Sequence, residues 1–292
     1  MSVGVMEQIW RRFMFPRYGN SLPFPTNRRY LVYNEKCRRG YSNGAGPSAN
    51  ALAQKVMSDG FVQIDNAIAA DQARAMSERI SALIAAEPDS KKRGRTAHLQ
   101  YRVNDPVRTL GSEVLDLFRG PADAVLRAYF KSWYRLYGVA CYRSVPSGDP
   151  QGAWLWHVDN YPPAVKKIML YLTDCGPNLG ATSFVPPSQT KALRGSGYFG
   201  IYPQERSEDL SSFAARAGIE PKIQTCTIKA GSALFFDNNT LHRANIPEVG
   251  FRDVITFTVM PSDRPWKDHL DREGIAALEA RTSMYPNDPS RL

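Results

Sequence analysis

The spacing of apolar residues changes character near the middle of the chain. In the first half they recur every three or four positions. Ala73, Met76, Ile80, Leu83 and Ile84 fall on one stripe, which predicts an amphipathic helix over 70–86. A shorter helix is predicted over 49–58, ended by Asp59-Gly60, and then a strand over 61–64. A helical pair follows over 112–129, interrupted at Gly120-Pro121 because proline cannot continue a helix. From Trp133 onward, β-rich runs punctuated by Gly, Pro and Asn take over, at 134–142, 153–157, 167–173, 182–185, 225–228, 233–236 and 254–260. One more helix is predicted over 268–281, before a Pro-containing tail. Helices first and strands later, without β-α-β alternation, argue against a Rossmann or TIM architecture. They favour an α+β fold with a mainly β core, an antiparallel sandwich or jelly roll with flanking helices. The turn-forming residues 42–48 then divide the chain into an N-terminal arm (1–43) and a main domain (49–266), with a C-terminal helix and tail (267–292).

Composition narrows the class. A length of 292 residues supports a substantial core, and 43% hydrophobic with 22% charged residues excludes disordered, collagen-like and coiled-coil readings. No run approaches the ~18 apolar residues of a membrane-spanning helix. The opening MSVGVMEQIWRRF has no apolar stretch ahead of a small-residue cleavage site, so a cytoplasmic location is expected. Cys37, Cys141, Cys175 and Cys226 lie far apart with no C-x-x-C pair, which suits isolated thiols.

Charge is uneven. Net charge is +9, yet the arm through Asn43 holds eight basic residues against two acidic ones, +6, leaving only +3 for the remaining 249 residues. The same arm carries eight aromatics: Trp10, Phe13, Phe15, Tyr18, Phe24, Tyr30, Tyr33 and Tyr41. Cations interleaved with rings suit an anionic membrane surface on the inner face, and also single-stranded nucleic acid. The plain alternative is that the rings pack on the main domain and the arginines are solvated. No helix-turn-helix, RNP or zinc-finger pattern accompanies the arm, so no nucleic-acid partner is expected.

Four histidines are present, His98, His157, His242 and His269. His157 opens His157-Val158-Asp159, whose i,i+2 spacing in a strand turns imidazole and carboxylate to one side. His242, after the run 233–236, supplies a second imidazole. Two histidines and one carboxylate suit non-haem Fe(II), because the remaining coordination positions stay open for a bidentate cosubstrate and dioxygen. Zinc is the competing metal, but no H-E-x-x-H motif occurs. Arg252 opens the last β-run; a guanidinium inside a barrel needs an anionic partner, which a dicarboxylate cosubstrate or a neighbour such as Asp253 or Glu248 would supply. Gly195-Ser196-Gly197 lacks the spacing of a hydrolase nucleophile elbow, and no P-loop or dinucleotide fingerprint appears. His98, beside the basic residues 91–95, reads as solvated or near a cavity mouth, and His269 as structural.

The ordered set Gly60-Phe61-Val62-Gln63-Ile64, Trp156-His157-Val158-Asp159, Met169-Leu170-Tyr171-Leu172-Thr173-Asp174, Thr182-Ser183-Phe184-Val185-Pro186-Pro187, Gly231-Ser232-Ala233-Leu234-Phe235-Phe236-Asp237, His242 and Arg252 resembles the phytanoyl-CoA dioxygenase-like group of Fe(II)/2-oxoglutarate oxygenases. The resemblance spans 49–262 and implies a double-stranded β-helix, cupin-like fold. It also implies His157, Asp159 and His242 as metal ligands and catalytic triad, Arg252 as the holder of the far carboxylate of 2-oxoglutarate, and Tyr171 beside that cosubstrate. Pro187-Ser188-Gln189 and Asn178-Leu179-Gly180 depart from the group's usual turns. Asp159 is retained, whereas halogenating relatives replace it with a small residue, so hydroxylation is expected.

The reaction implied consumes O2 and 2-oxoglutarate and hydroxylates an aliphatic C–H. The basic balance favours an anionic small molecule, lipid or glycolipid, and a Kdo-like sugar acid presented at a membrane is a specific expectation. A soluble metabolite or CoA thioester is the alternative within this class. A catalytically silent cupin-like module binding an anionic partner, or a zinc hydrolase, are the alternatives outside it.

Overall fold

The computed structural model describes residues 5–39, 41–42, 44, 46–86, 100–148, 150–281, 285–286 and 289. Helices α1 (Val5–Tyr18), α2 (Phe24–Arg38) and α3 (Pro47–Asp59) precede β1 (Phe61–Ile64), α4 (Ala70–Ala86), β2 (Gln100–Val103) and α5 (Pro106–Leu110). A 3-10 turn over Ser112–Phe118 leads to α6 (Pro121–Phe130) and the long β3 (Trp133–Ser144). There follow β4 (Lys166–Tyr171), β5 (Thr182–Phe184), α7 (Pro187–Gly195), α8 (Ser211–Ala217), β6 (Gln224–Thr225), β7 (Ala233–Phe236), β8 (His242–Ala244) and β9 (Arg252–Ser262). The chain then forms α9 (Trp266–Glu273) and α10 (Ile275–Ala280).

Six strands form one antiparallel sheet in the order β1-β7-β4-β9-β3-β2, and β6-β5-β8 form a second. This is the expected jelly roll, and the period-two pattern of the strands explains its layering. Ile255, Phe257 and Val259 of β9, with Ile168 and Leu170 of β4 and Phe235 of β7, join the main hydrophobic core with Met76 and Ile80 of α4 and Val125 and Leu126 of α6. The intervening positions, Arg252, Val254 and Thr256 of β9, Lys167 and Met169 of β4, and Ala140 and Tyr142 of β3, line a cavity between the two sheets instead.

Three predicted elements differ. Residues 153–157 are not a strand: a 3-10 turn occupies Gly152–Trp154, and Trp156 and His157 make only isolated bridges, to Ser207 and His242. At this rim each residue finds a single backbone partner, too few for a ladder. Of 225–228 only Thr225 lies in a strand, and Ile228 bridges Cys175 alone. The single C-terminal helix is two, because Gly274 (φ +80°) adopts a backbone that breaks the helix.

The arm forms helices that pack on the barrel. Phe15 stacks on Phe199 with centroids 4.9 Å apart, while Tyr30, Tyr33 and Cys37 are buried with Tyr137, Tyr161, Val165 and Met260. Asn20 and Asn27 exchange side-chain hydrogen bonds, and Asn20 also donates to the Tyr161 carbonyl at 2.9 Å. All four cysteines are buried free thiols. Among the described residues no helix is long and apolar enough to cross a membrane. His98 and the basic residues 91–95 lie outside the described residues.

Candidate metal centre

His157, Asp159 and His242 come together at the cavity, although the two histidines are 85 positions apart. The isolated bridge does this work: His157 N–H donates to the His242 carbonyl at 2.9 Å and His242 N–H returns the bond at 3.0 Å. Asp159 is fixed separately, its N–H donating to the Asn238 carbonyl at 2.9 Å. The chain then turns through Asn160 (φ +59°), a conformation asparagine tolerates, and the Asn160 side chain accepts the Ser21 N–H at 2.8 Å. One potential ligand atom from each of the three side chains lies within 4.8 Å of the others. His157 Nε2 stands 3.9 Å from Asp159 Oδ1, and His242 Nε2 3.7 Å from Oδ2.

Hydrogen bonding selects the histidine tautomer. His157 Nδ1–H donates to the Leu155 carbonyl at 2.8 Å and His242 Nδ1–H to the Thr240 carbonyl at 2.7 Å, each two residues back. This leaves both Nε2 lone pairs facing Asp159. Burial holds both imidazoles below their ordinary pKa; for His157 the neighbouring imidazole and the Arg206 charge add to the effect. Both rings are therefore neutral at pH 7, the state a metal requires. Burial opposes ionisation of Asp159, but the Lys167 ammonium at 2.8 Å outweighs it and holds the carboxyl well below the usual range. Two neutral imidazoles and a carboxylate, with their donor atoms converging, are a donor set that fits a divalent transition metal.

The cavity, about 260 Å³, extends from this cluster and is lined by Trp154, Lys167, Thr182, Arg206 and Arg252 among others. Arg252 is 4% exposed, yet among the described residues its hydrogen bonds go only to neutral acceptors: the Gly180 carbonyl at 2.5 Å and Ser144 Oγ, across the β3–β9 register, at 3.2 Å. Among the described residues its Nε has no hydrogen-bond partner. Neither candidate counter-ion reaches it, because Asp253, on the opposite face of β9, is held by Arg143 and Ser77, and Glu248 is exposed. Tyr171 is fully buried behind the wall, its hydroxyl 2.8 Å from Thr182 Oγ1, and Thr182 presents the cavity surface. Arg243 lies outside the lining: its guanidinium stacks over Trp156 at 4.8 Å and donates to the Glu208 carbonyl. His269 is remote, bonded to Ser262 Oγ at 2.7 Å.

Sequence reasoning missed Lys167, Thr182 and Arg206 as cavity residues. For Lys167 a signal existed, since it shares strand parity with Met169. Arg206 sits on a loop, where no periodicity marks it. That loop runs close beneath the centre: Gly200 (φ +61°) lies where a Cβ would come within 2.9 Å of the Trp156 carbonyl, and its own carbonyl accepts the Val158 N–H.

A family model described as phytanoyl-CoA dioxygenase matches residues 56–245, leaving α1, α2 and Arg252 outside the matched span. No curated protein matches the chain significantly. Among solved structures, the chain is similar to the epimerase SnoN in complex with Fe3+, alpha ketoglutarate and nogalamycin RO (TM-score 0.54, 18% identity, covering 73% of this chain and 83% of that one). It is also similar to AviO1 from Streptomyces viridochromogenes (TM-score 0.52, 17% identity, 76% and 98% covered). A third is the non-heme alpha ketoglutarate dependent carbocyclase SnoK (TM-score 0.51, 15% identity, 83% and 96% covered). At these identities the likeness is one of fold.

Proposed function

The chain belongs to the phytanoyl-CoA dioxygenase family of Fe(II)/2-oxoglutarate oxygenases, and from that premise we propose that it hydroxylates an aliphatic C–H of an anionic small molecule, a Kdo-like sugar acid or a lipid being the substrate type in view. The observation that carries this reading is a buried His-Asp-His cluster sharing one cavity with a buried arginine that, among the described residues, has no carboxylate partner. His157, Asp159 and His242 would hold the metal. Arg252 would hold the far carboxylate of 2-oxoglutarate, replacing neutral acceptors with a charge-assisted pair. Fe(II) bound there with 2-oxoglutarate and dioxygen would supply the oxidation, one oxygen atom going to the substrate C–H and the other to succinate as the cosubstrate loses CO2. The chain's own part is to bind, orient and exclude water. Leu155 and Thr240 carbonyls fix the imidazoles, Lys167 neutralises and steers Asp159, and the apolar wall of Met169, Phe236 and Val254 keeps the cavity dry. The likeness to an epimerase and a carbocyclase makes those reactions the named competitors to hydroxylation.

The test compares polar lipids, glycolipids and soluble metabolites with and without active protein. A mass gain of one oxygen, dependent on Fe(II), 2-oxoglutarate and O2, is expected. A product of unchanged mass or one lacking two hydrogens overturns hydroxylation in favour of epimerisation or ring closure. Absence of succinate formation under all conditions overturns the oxygenase reading.

Peripheral contact with an anionic membrane is supported by α1. Its exposed Met6, Ile9, Trp10 and Phe13 recur at i, i+3, i+4 and i+7, and Arg12, Arg28, Arg29 and Lys36 are exposed on α1 and α2. Flotation with phosphatidylglycerol vesicles tests it: Trp10→Ala/Phe13→Ala should abolish a salt-sensitive association, and no association of the intact chain removes the proposal.

A further inference from the structure

Arg206 follows the 3-10 turn Pro203–Glu205 and lines the same cavity as the His-Asp-His cluster. Among the described residues its guanidinium makes one hydrogen bond, from Nη2 to the Ile201 carbonyl at 3.1 Å, its Nε is buried without an acceptor, and it forms no ion pair. The carboxylates that might neutralise it are engaged. The adjacent Glu205 is bound at 2.6 Å by Arg11 of α1, a side chain 2% exposed that also holds Glu7 at 2.6 Å and packs over the Tyr202 ring at 4.8 Å. Asp159 is taken by the Lys167 ammonium at 2.8 Å. A cation partly withdrawn from water with no counter-ion is costly, and the cost is removed when a ligand brings the anion.

The loop is also held in place. The Tyr198 hydroxyl donates to the Trp156 carbonyl at 2.7 Å and accepts the Ser207 N–H at 3.0 Å, and Trp156 N–H donates to the Ser207 carbonyl at 2.9 Å. With Phe15 stacked on Phe199, the loop is fastened both to the segment that carries His157 and to α1, which lies outside the matched family span. Its cation is thus a built part of the cavity wall, separate from Arg252, which stands on β9.

We propose that Arg206 anchors an oxyanion of the substrate, a carboxylate or a phosphate monoester, and so sets which molecules present a C–H bond to the metal centre. This rests on the oxygenase reading and deepens it: one arginine, Arg252, serves the cosubstrate, and a second serves the substrate. The planar fork of a guanidinium donates two N–H bonds to either oxyanion in bidentate fashion.

The experiment uses the full chain, anaerobic, with Fe(II) and 2-oxoglutarate, titrated by calorimetry with methyl phosphate, with propionate and with uncharged propanol. Binding of at least one anion but not of propanol is expected, and the preferred anion tells phosphate from carboxylate. R206Q should weaken that anion at least tenfold, and R206K, which keeps the charge but loses the fork, should fall between. Thermal melts confirm that each variant is folded, and R206K carries the comparison if R206Q is not. Equal anion binding by wild type and R206Q, no anion binding by wild type, or a loss of 2-oxoglutarate affinity in R206Q as large as that in R252A overturns the proposal. The visible band of the Fe(II)/2-oxoglutarate chelate is read in the same samples, so its absence reports failure of the oxygenase reading independently of the anion result.

Discussion

Arg252 and Asp253 are neighbours on β9, both buried and both charged, yet they belong to opposite faces of the large sheet and live by opposite rules. Asp253 faces the helices, where Arg143 Nε and Nη2 reach its two oxygens at 2.7 and 2.5 Å and Ser77 Oγ donates at 2.6 Å. Arg252 faces the cavity and, among the described residues, finds only a carbonyl and a hydroxyl. The buried histidines divide the same way. His269, packed at the helix side, is bonded to Ser262, whereas His157 and His242 aim their Nε2 atoms at Asp159 and the cavity. On the helix face the Asp253 carboxylate meets the Arg143 cation within the chain; the cavity face leaves a cation and two imidazole lone pairs for something brought from outside.

The largest effects should break this contrast at the metal centre. His157→Ala, Asp159→Ala and His242→Ala should each abolish the visible charge-transfer band formed anaerobically with Fe(II) and 2-oxoglutarate; retention of the band by all three would void the ligand assignment. On the helix face the expected loss is of stability. Asp253→Ala strands the Arg143 cation, and Phe257→Ala empties the space beside Phe118, whose ring meets it edge-on at 4.8 Å. Each should cost about 3–5 kcal/mol in urea unfolding, while the folded fraction keeps its 2-oxoglutarate affinity. Arg252→Ala should do the reverse: about a hundredfold weaker 2-oxoglutarate binding, about 2.7 kcal/mol, with the urea midpoint nearly unchanged. If Arg252→Ala unfolds the protein and Asp253→Ala does not, the two faces have been misread.

The smallest effect concerns pH. Burial lowers the His269 pKa to about 4, so the folded protein refuses a proton that the unfolded chain accepts near 6.5. Its contribution to stability is full above pH 6.5 and is lost as pH falls from there towards 4. His269→Gln should therefore flatten the acid limb of the stability curve, by about 1 kcal/mol near pH 5.5. An unchanged slope would show that the imidazole titrates freely.

How much of this was legible depended on how far apart the cooperating residues lie. The helix at α4 and the strand at β7 match the predicted 70–86 and 233–236, because each is written in a local repeat of apolar residues. The metal-binding candidates were legible as residue types: an H-x-D and a later histidine. The strand predicted beneath the H-x-D was not there, and what aligns His157 with Asp159 is three backbone bonds, two shared by His157 and His242 and one from Asp159 to residue 238.

The sequence by itself determined the alternation that sends Arg252 and Lys167 to one face of the sheet and Ile255 and Phe257 to the other, since successive side chains of a strand must point oppositely. It also determined which donors could hold a metal. Only the tertiary structure decided which charges are spent and which remain. Arg11 and Glu205 are 194 positions apart, Arg143 and Asp253 are 110, and no periodicity links them. Their pairing removes two carboxylates from the neighbourhoods of Arg206 and Arg252, and a buried charge acquires meaning only from the partners that folding grants or withholds.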